Sequence, residues 1–268
     1  MMIASTEQRV RFDDGASTIL DAWGESGPVI VCVHGISSSR KSWERFAQHA
    51  GASYRIFAYD QRGHGDSARV TGPMTLERSY ADLAAVIETI GEPVHALIGH
   101  SWGGAVVLGG GRRVAAARVV AIDPMIRQLP NMWATDFVDD LRPTLALPPD
   151  QREAAIRELY ADLPPVEIEA KVHAMREMSI EPIVALGAQN HADSGDWDLR
   201  ETVLGYPKPL LLLLADPGES VVQLEDVDLI ERDGGPNIRV ETFAGEGHSL
   251  QRTAFDRFAV MTGEFLAR

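Results

Sequence analysis

Six short apolar runs punctuate this sequence, and each stops at a glycine or an aspartate. Residues 29–33 end at His34-Gly35, 55–59 at Asp60, 94–98 at Gly99, 119–122 at Asp123-Pro124 and 209–215 at Asp216-Pro217, and 238–243 is followed by Gly245. Runs this short and uniformly apolar, bounded by turn residues, read as strands buried on both faces, which means a mostly parallel sheet covered by helices. The segments between them have helical spacing. In 75–90, Leu76, Tyr80, Leu83, Ala84, Ile87 and Ile90 form one stripe, closed by Gly91. Further helices are predicted over 102–109, 224–230 and 254–266. Residues 7–23 alternate polar and apolar around Asp13-Asp14-Gly15, which predicts an antiparallel hairpin at the sheet edge. The fold class is α/β.

Residues 125–206 break the alternation. They hold no convincing buried strand, and helix-like segments at 151–163, 167–178 and 181–187 are separated by prolines. An insertion of this length between two sheet strands predicts a helical cap. The chain then divides into a core of 1–124 and 207–268 and a cap of 125–206. Gly109-Gly110-Gly111 falls where a helix should continue and predicts its early end.

Charge narrows the partners. Lys and Arg number 25 against 39 Asp and Glu, a net charge of −14, and the basic residues are scattered. A nucleic acid or an anionic membrane surface needs clustered cations, so neither is the expected partner. Cys32 is the one cysteine, which excludes an internal disulfide and a cysteine-built zinc site. Its place inside an apolar run predicts a small buried side chain. The first twelve residues lack an apolar stretch of signal-peptide length, and no run reaches the roughly 20 residues that span a bilayer. A soluble, cytoplasmic protein with a small-molecule partner is the expectation.

The chemistry concentrates in Gly99-His100-Ser101-Trp102-Gly103-Gly104. This is Gly-x-Ser-x-Gly placed after a predicted strand and before a predicted helix, the context of a nucleophile elbow. A tight strand-to-helix turn lifts Ser101 Oγ clear of the sheet, over a helix N-terminus that favours developing negative charge. The neighbouring glycines allow the strand and helix to approach. No His-Glu-x-x-His or other metal-ligand spacing appears, and the glycine-rich Asp60–Ser67 stretch lacks the phosphate-loop pattern.

Four motifs in order resemble the α/β-hydrolase superfamily, in its serine hydrolase or esterase branch with a helical cap. They are His34-Gly35, Asp60-Gln61-Arg62-Gly63-His64-Gly65-Asp66-Ser67, the Ser101 motif, and Gly245-Glu246-Gly247-His248. The resemblance implies an eight-stranded, mostly parallel sheet and a Ser, acid, His triad. Ser101 is the nucleophile in that scheme. His248, in a loop after the last predicted strand, is the general base. The acid is expected after the strand that follows the insertion, which favours Asp216, with Glu219 as an alternative. Asp123 is a third placement known in the family, although Asp123-Pro124 reads first as a strand-ending turn. Ala215 replaces the glycine usual after that strand, and the loop is short.

The oxyanion hole needs two preorganised N–H donors, expected from Trp102 and Ile36. Gly35, Trp102, Met125 and Trp133 are the expected substrate contacts, with Met132 and Phe137 as further candidates for the pocket lining. His34, Arg62 and Asp66 read as residues that fix loops. A serine at position 101 excludes the branches that use an aspartate nucleophile. The predicted reaction is hydrolysis of a carboxylic ester of small to medium apolar character through an acyl-enzyme, with no cofactor. The alternatives are a non-hydrolytic or C–C-cleaving enzyme on this fold (a lyase, a cofactor-free haloperoxidase or a perhydrolase), or a ligand-binding module.

Overall fold

A computed structural model describes residues 3–128, 136–190 and 197–268. Its strands are β1 (Thr6–Arg11), β2 (Ser17–Trp23), β3 (Val29–Val33), β4 (Arg55–Tyr59), β5 (Val94–His100), β6 (Ala116–Ile122), β7 (Leu210–Leu214) and β8 (Ile238–Thr242). They form one eight-stranded sheet in the order β1-β2-β4-β3-β5-β6-β7-β8. β1 pairs with β2 and β2 with β4 in antiparallel fashion; every other pair is parallel. The α/β reading holds, and the predicted edge hairpin is β1–β2.

Side-chain alternation along each strand builds two cores. Val29, Val31 and Val33 face one side of β3, and Ile30 and Cys32 the other. The same alternation divides β7, with Leu210, Leu212 and Leu214 against Leu211 and Leu213. Burying each of these side chains contributes roughly 1.5–3 kcal/mol.

The helices are α1 (Glu44–Ala50), α2 (Leu76–Ile90), α3 (Trp102–Gly111), α4 (Asp136–Leu145), α5 (Pro149–Leu159), α6 (Pro165–Met175), α7 (Glu181–Gln189), α8 (Arg200–Leu204), α9 (Leu224–Asp233), α10 (Leu250–Thr253) and α11 (Phe255–Leu266). Residues of α2, α3, α8 and α9 cover one face of the sheet, and residues of α1 and α11 the other. Thr75 caps α2 by accepting from the Arg78 N–H at 3.1 Å. Among the described residues no helix is long and apolar enough to cross a membrane.

The predicted early stop at Gly109 is corrected, because α3 continues through Gly111. The three glycines serve packing. A Cβ at Gly109 would collide with the Tyr80 ring of α2, and one at Gly111 with Tyr206 Oη. Close approach of neighbouring elements outweighs the poor helix propensity of glycine here.

α4 to α8 lie between β6 and β7, and α4 to α7 share a small core of their own. Leu141, Leu145, Ile156, Val172, Met175 and Ile183 make it, and Ile36 of the main body packs against it. Arg152 holds this group together by donating to the carbonyls of Leu147, Met175, Arg176 and Met178. Ser39 Oγ donates to the Ala170 carbonyl of α6 at 3.4 Å, which ties the insertion to the loop after β3.

Candidate active site

β5 ends at His100 and α3 starts at Trp102, so the whole turn falls on Ser101. Its backbone sits at φ 57°, ψ −119°, a conformation that L-residues avoid. Three main-chain hydrogen bonds hold it there. The Ser101 N–H donates to Ile122 at 2.9 Å, and its carbonyl accepts from Ala105 and Met125, each at 3.1 Å. A Cβ at Gly103 would strike the Val33 and His34 carbonyls, so glycine is what lets α3 sit this close to β3.

His248 follows β8 and donates from Nδ1 to Asp123 Oδ2 at 2.6 Å. The acid placed against His248 is therefore Asp123, and the expectation of Asp216 is corrected. Asp123 stands at the end of β6, one residue past the Ile122 that pairs with His100, with φ 39° and no exposed surface. It accepts from the Ala215 N–H at 3.0 Å, Ser220 Oγ at 2.6 Å and the Val221 N–H at 3.1 Å. Asp216 faces away. Its carboxylate accepts from the Gly245 N–H at 2.8 Å and the Gly218 N–H at 3.2 Å, and these bonds hold it below the usual carboxylate range. It braces the loop that carries His248. Glu219 is exposed.

The physical reason lies in the loop after β7. It turns its Ala215 and Val221 N–H groups and the Ser220 hydroxyl toward Asp123, while Asp216 is taken up by the Gly218 and Gly245 N–H groups. A missing glycine at 215 and a short loop were the sequence signals for this placement. His100 was given no role from sequence, yet its ring lies 4.7 Å from that of His248 and its Nε2 donates to the His248 carbonyl at 2.9 Å.

The loop after β3 supplies the second wall. A Cβ on Gly35 would lie 2.9 Å from Ser101 Cβ, so the backbone passes directly over the serine. The N–H groups of Ile36 and Trp102 have no hydrogen-bond partner among the described residues. Trp102 is buried and stands edge-on to Trp197 with ring centroids 5.0 Å apart. Met125 is also buried, and its carbonyl accepts from Trp197 Nε1 at 2.8 Å. Trp133 and Met132 lie outside the described residues, as does the side chain of Phe137.

His34 fixes this loop from within. Its Nε2 accepts from the Gln61 N–H at 3.0 Å, so the proton is on Nδ1, which donates to the Gly35 carbonyl at 2.8 Å. His64 lies behind it, 5.2 Å between ring centroids, and donates to the Arg62 carbonyl. Burial pushes both histidines down to about 3. Both are neutral in the folded chain, whereas an unfolded histidine takes a proton below about 6.5. Their contribution to stability is complete above that value and is lost as the pH falls toward about 3, at about 1.4 kcal/mol per pH unit for each ring. Urea unfolding between about pH 6 and about pH 4 should show His64→Gln with a slope shallower by about that amount. An unchanged slope would mean that His64 does not titrate on unfolding.

Asp60, Asp66 and His173 are the one group of possible metal ligands found among the described residues. Their ligand atoms are already turned to a cation. Arg40 Nη1 binds Asp60, meets Asp66 Oδ2 at 2.8 Å and His173 Nε2 at 3.3 Å. Arg40 is 1% exposed and also pairs with Asp21 at 3.0 Å. Arg62 is held by Asp82 at 2.5 Å and Asp14 at 2.8 Å, away from the serine.

A lipase (LipV) of Mycobacterium tuberculosis is 30% identical over 155 residues, 56% of this chain and 58% of the relative. A non-heme haloperoxidase of Rhodococcus erythropolis is 35% identical over 130 residues, 44% of this chain and 46% of the relative. The matches thus span about half the length of these curated relatives. An esterase of Exiguobacterium antarcticum superposes with a TM-score of 0.74 at 18% identity, covering 98% of this chain and 100% of that one. E-2-(acetamidomethylene)succinate hydrolase gives 0.78 at 19%, covering 99% and 100%. At such identities these structures show the shared fold alone. The profile of the alpha/beta hydrolase family matches residues 30–260, and the chain belongs to that family.

Proposed function

We propose that the protein hydrolyses a carboxylic ester through Ser101, His248 and Asp123. The observation that carries this reading is the 2.6 Å bond from His248 Nδ1 to a fully buried Asp123, together with a serine held at φ 57° in the turn after β5. With Nδ1–H committed to the carboxylate, the lone pair of His248 is on Nε2 and accepts the Ser101 proton. Ser101 Oγ attacks the ester carbon, and the Ile36 and Trp102 N–H groups hold the oxyanion. Collapse breaks the bond to the alcohol, which leaves with the proton from His248. Water then attacks the acyl-enzyme through the same base and releases the acid.

Trp102 follows Ser101 in sequence and the Met125 N–H donates to the Ser101 carbonyl, and these apolar neighbours suit an apolar part of the substrate. Ser101→Ala should remove turnover of p-nitrophenyl butyrate by at least about 10⁴-fold and abolish labelling by a fluorophosphonate. Residual turnover within about tenfold of wild type would end the acyl-enzyme reading. The haloperoxidase relative favours a second reading on the same residues, in which hydrogen peroxide replaces water and gives a peracid. Product analysis with and without peroxide separates the two.

A further inference from the structure

Three cations and one carboxylate meet where the helical insertion closes on the sheet. Lys171 belongs to α6, Arg252 to α10 just after His248, and Arg45 to α1. Lys171 is 9% exposed, Arg252 5%, and the acid between them, Glu167, 2%. Arg252 Nη2 donates to Ser38 Oγ at 2.9 Å. Its Nε lies 3.2 Å from Glu167 Oε2, without the alignment of a hydrogen bond. Arg45 donates to the Arg252 carbonyl at 3.0 Å and stacks on Phe255. The Lys171 ammonium stands 4.6 Å from the centre of the Tyr160 ring and has no hydrogen-bond partner among the described residues.

The stem of Lys171 is buried while its ammonium keeps some accessible surface, which leaves it open to a hydrogen-bond acceptor. Burial pushes Lys171 well below the usual lysine range, and the Arg252 charge adds to it. Both cations adjoin the loops of the site, since Ser39 Oγ donates to the carbonyl of Ala170, the residue before Lys171, and Arg252 follows His248 by four residues. Ser38 stands two residues beyond Ile36, on the loop that carries one oxyanion donor. Two cations and a hydroxyl thus converge from the insertion, the histidine loop and the oxyanion loop, with one acid to balance them.

We infer that Lys171, Arg252 and Ser38 form a site for a carboxylate carried by the substrate, so that the preferred ester has an anionic end. The inference rests on the ester-hydrolase reading for what that carboxylate is attached to. It narrows the apolar substrate expected from sequence to one with an apolar portion against Trp102 and Met125 and a charge held at Lys171. An anion there restores the missing balance and gives the ammonium its partner.

The test pairs two esters of matched size, p-nitrophenyl hemisuccinate and p-nitrophenyl butyrate, and adds calorimetric titration of succinate. Wild type should favour the hemisuccinate in kcat/KM by at least about tenfold, and Lys171→Met and Lys171→Gln should each cut that ratio by about tenfold or more. Succinate binding should weaken in parallel. A wild-type preference for the butyrate, or a ratio that both variants keep, overturns the anion site while Ser101-dependent turnover leaves the hydrolase reading standing. Absence of turnover and label would instead end the hydrolase reading. The succinate titration then decides the anion site alone, since binding that is lost in the Lys171 variants supports it and absence of binding in wild type overturns it. If neither variant folds, the wild-type ratio and titration decide.

Discussion

Asp123→Asn is expected to lower kcat for p-nitrophenyl butyrate by about 10³–10⁴-fold, while Asp216→Asn changes it by less than about tenfold. The asymmetry follows from hydrogen-bond polarity. Asp123 Oδ1 accepts from Ala215 and Ser220, and Oδ2 from Val221 and His248, so four donors converge on one acceptor-only group. An asparagine must turn its NH₂ toward one of these pairs. Facing His248, it forces the proton onto Nε2 and removes the lone pair that Ser101 needs. Facing Ala215 and Ser220, it sets donor against donor in a fully buried place. Asp216 accepts from two glycine N–H groups at the surface, and its amide keeps one acceptor for them. Steady-state rates of the two variants decide the matter. A larger loss in Asp216→Asn would move the triad acid back to the loop after β7.

The second large effect concerns stability. Arg40→Met is expected to cost about 4 kcal/mol, within the range for removing one partner of a buried ion pair. Asp21 and Asp60 are wholly buried, and Arg40 reaches both, along with Asp66 and the Glu7 carboxylate at 3.0 Å. Lys41 at 2.7 Å would still balance Asp21, but Asp60 would keep only main-chain donors from Arg40 and Asp66. The contrast is Arg157, whose bonds to Glu153 and Glu169 lie on the surface. Arg157→Ala should cost less than about 1 kcal/mol. Urea unfolding of both variants measures the difference. A loss under about 1 kcal/mol for Arg40→Met would mean that the buried carboxylates relax to water or take up protons at little cost.

The parallel sheet was legible because its strands are buried on both faces, and apolar runs ending at Gly or Asp have few other readings. The Ser101 turn was legible for a steric reason, since a strand, a sharp turn and a helix this close demand small residues at set positions. The acid was not. Asp123 and Asp216 both end apolar strands and both precede proline, and the local signals, Ala215 in place of a glycine and a short loop, do not say which of the two the His248 loop folds toward. The choice is made by the hydrogen-bonding of a loop nearly a hundred residues away from Asp123 in sequence. α4 and α8 were also missed, the first because Pro143 lies inside it and the second because five residues carry too little periodicity. The Arg40 cluster joins Glu7, Asp21, Asp60, Asp66 and His173, and pairing across such separations leaves no mark on spacing.

Of the three groups that hold Asp123 besides His248, two are main-chain N–H groups and only Ser220 contributes a side chain. Main-chain donors are indifferent to which amino acid bears them, proline excepted. The turn over residues 215–221 can therefore accept wide variation in identity while its length stays fixed. A deletion of one residue there, which shifts Val221 out of reach, should be felt more sharply than any exchange at Pro217, Gly218 or Glu219. For an engineer grafting new specificity onto this scaffold, the tip of that turn is ground to recode, and its spacing is not.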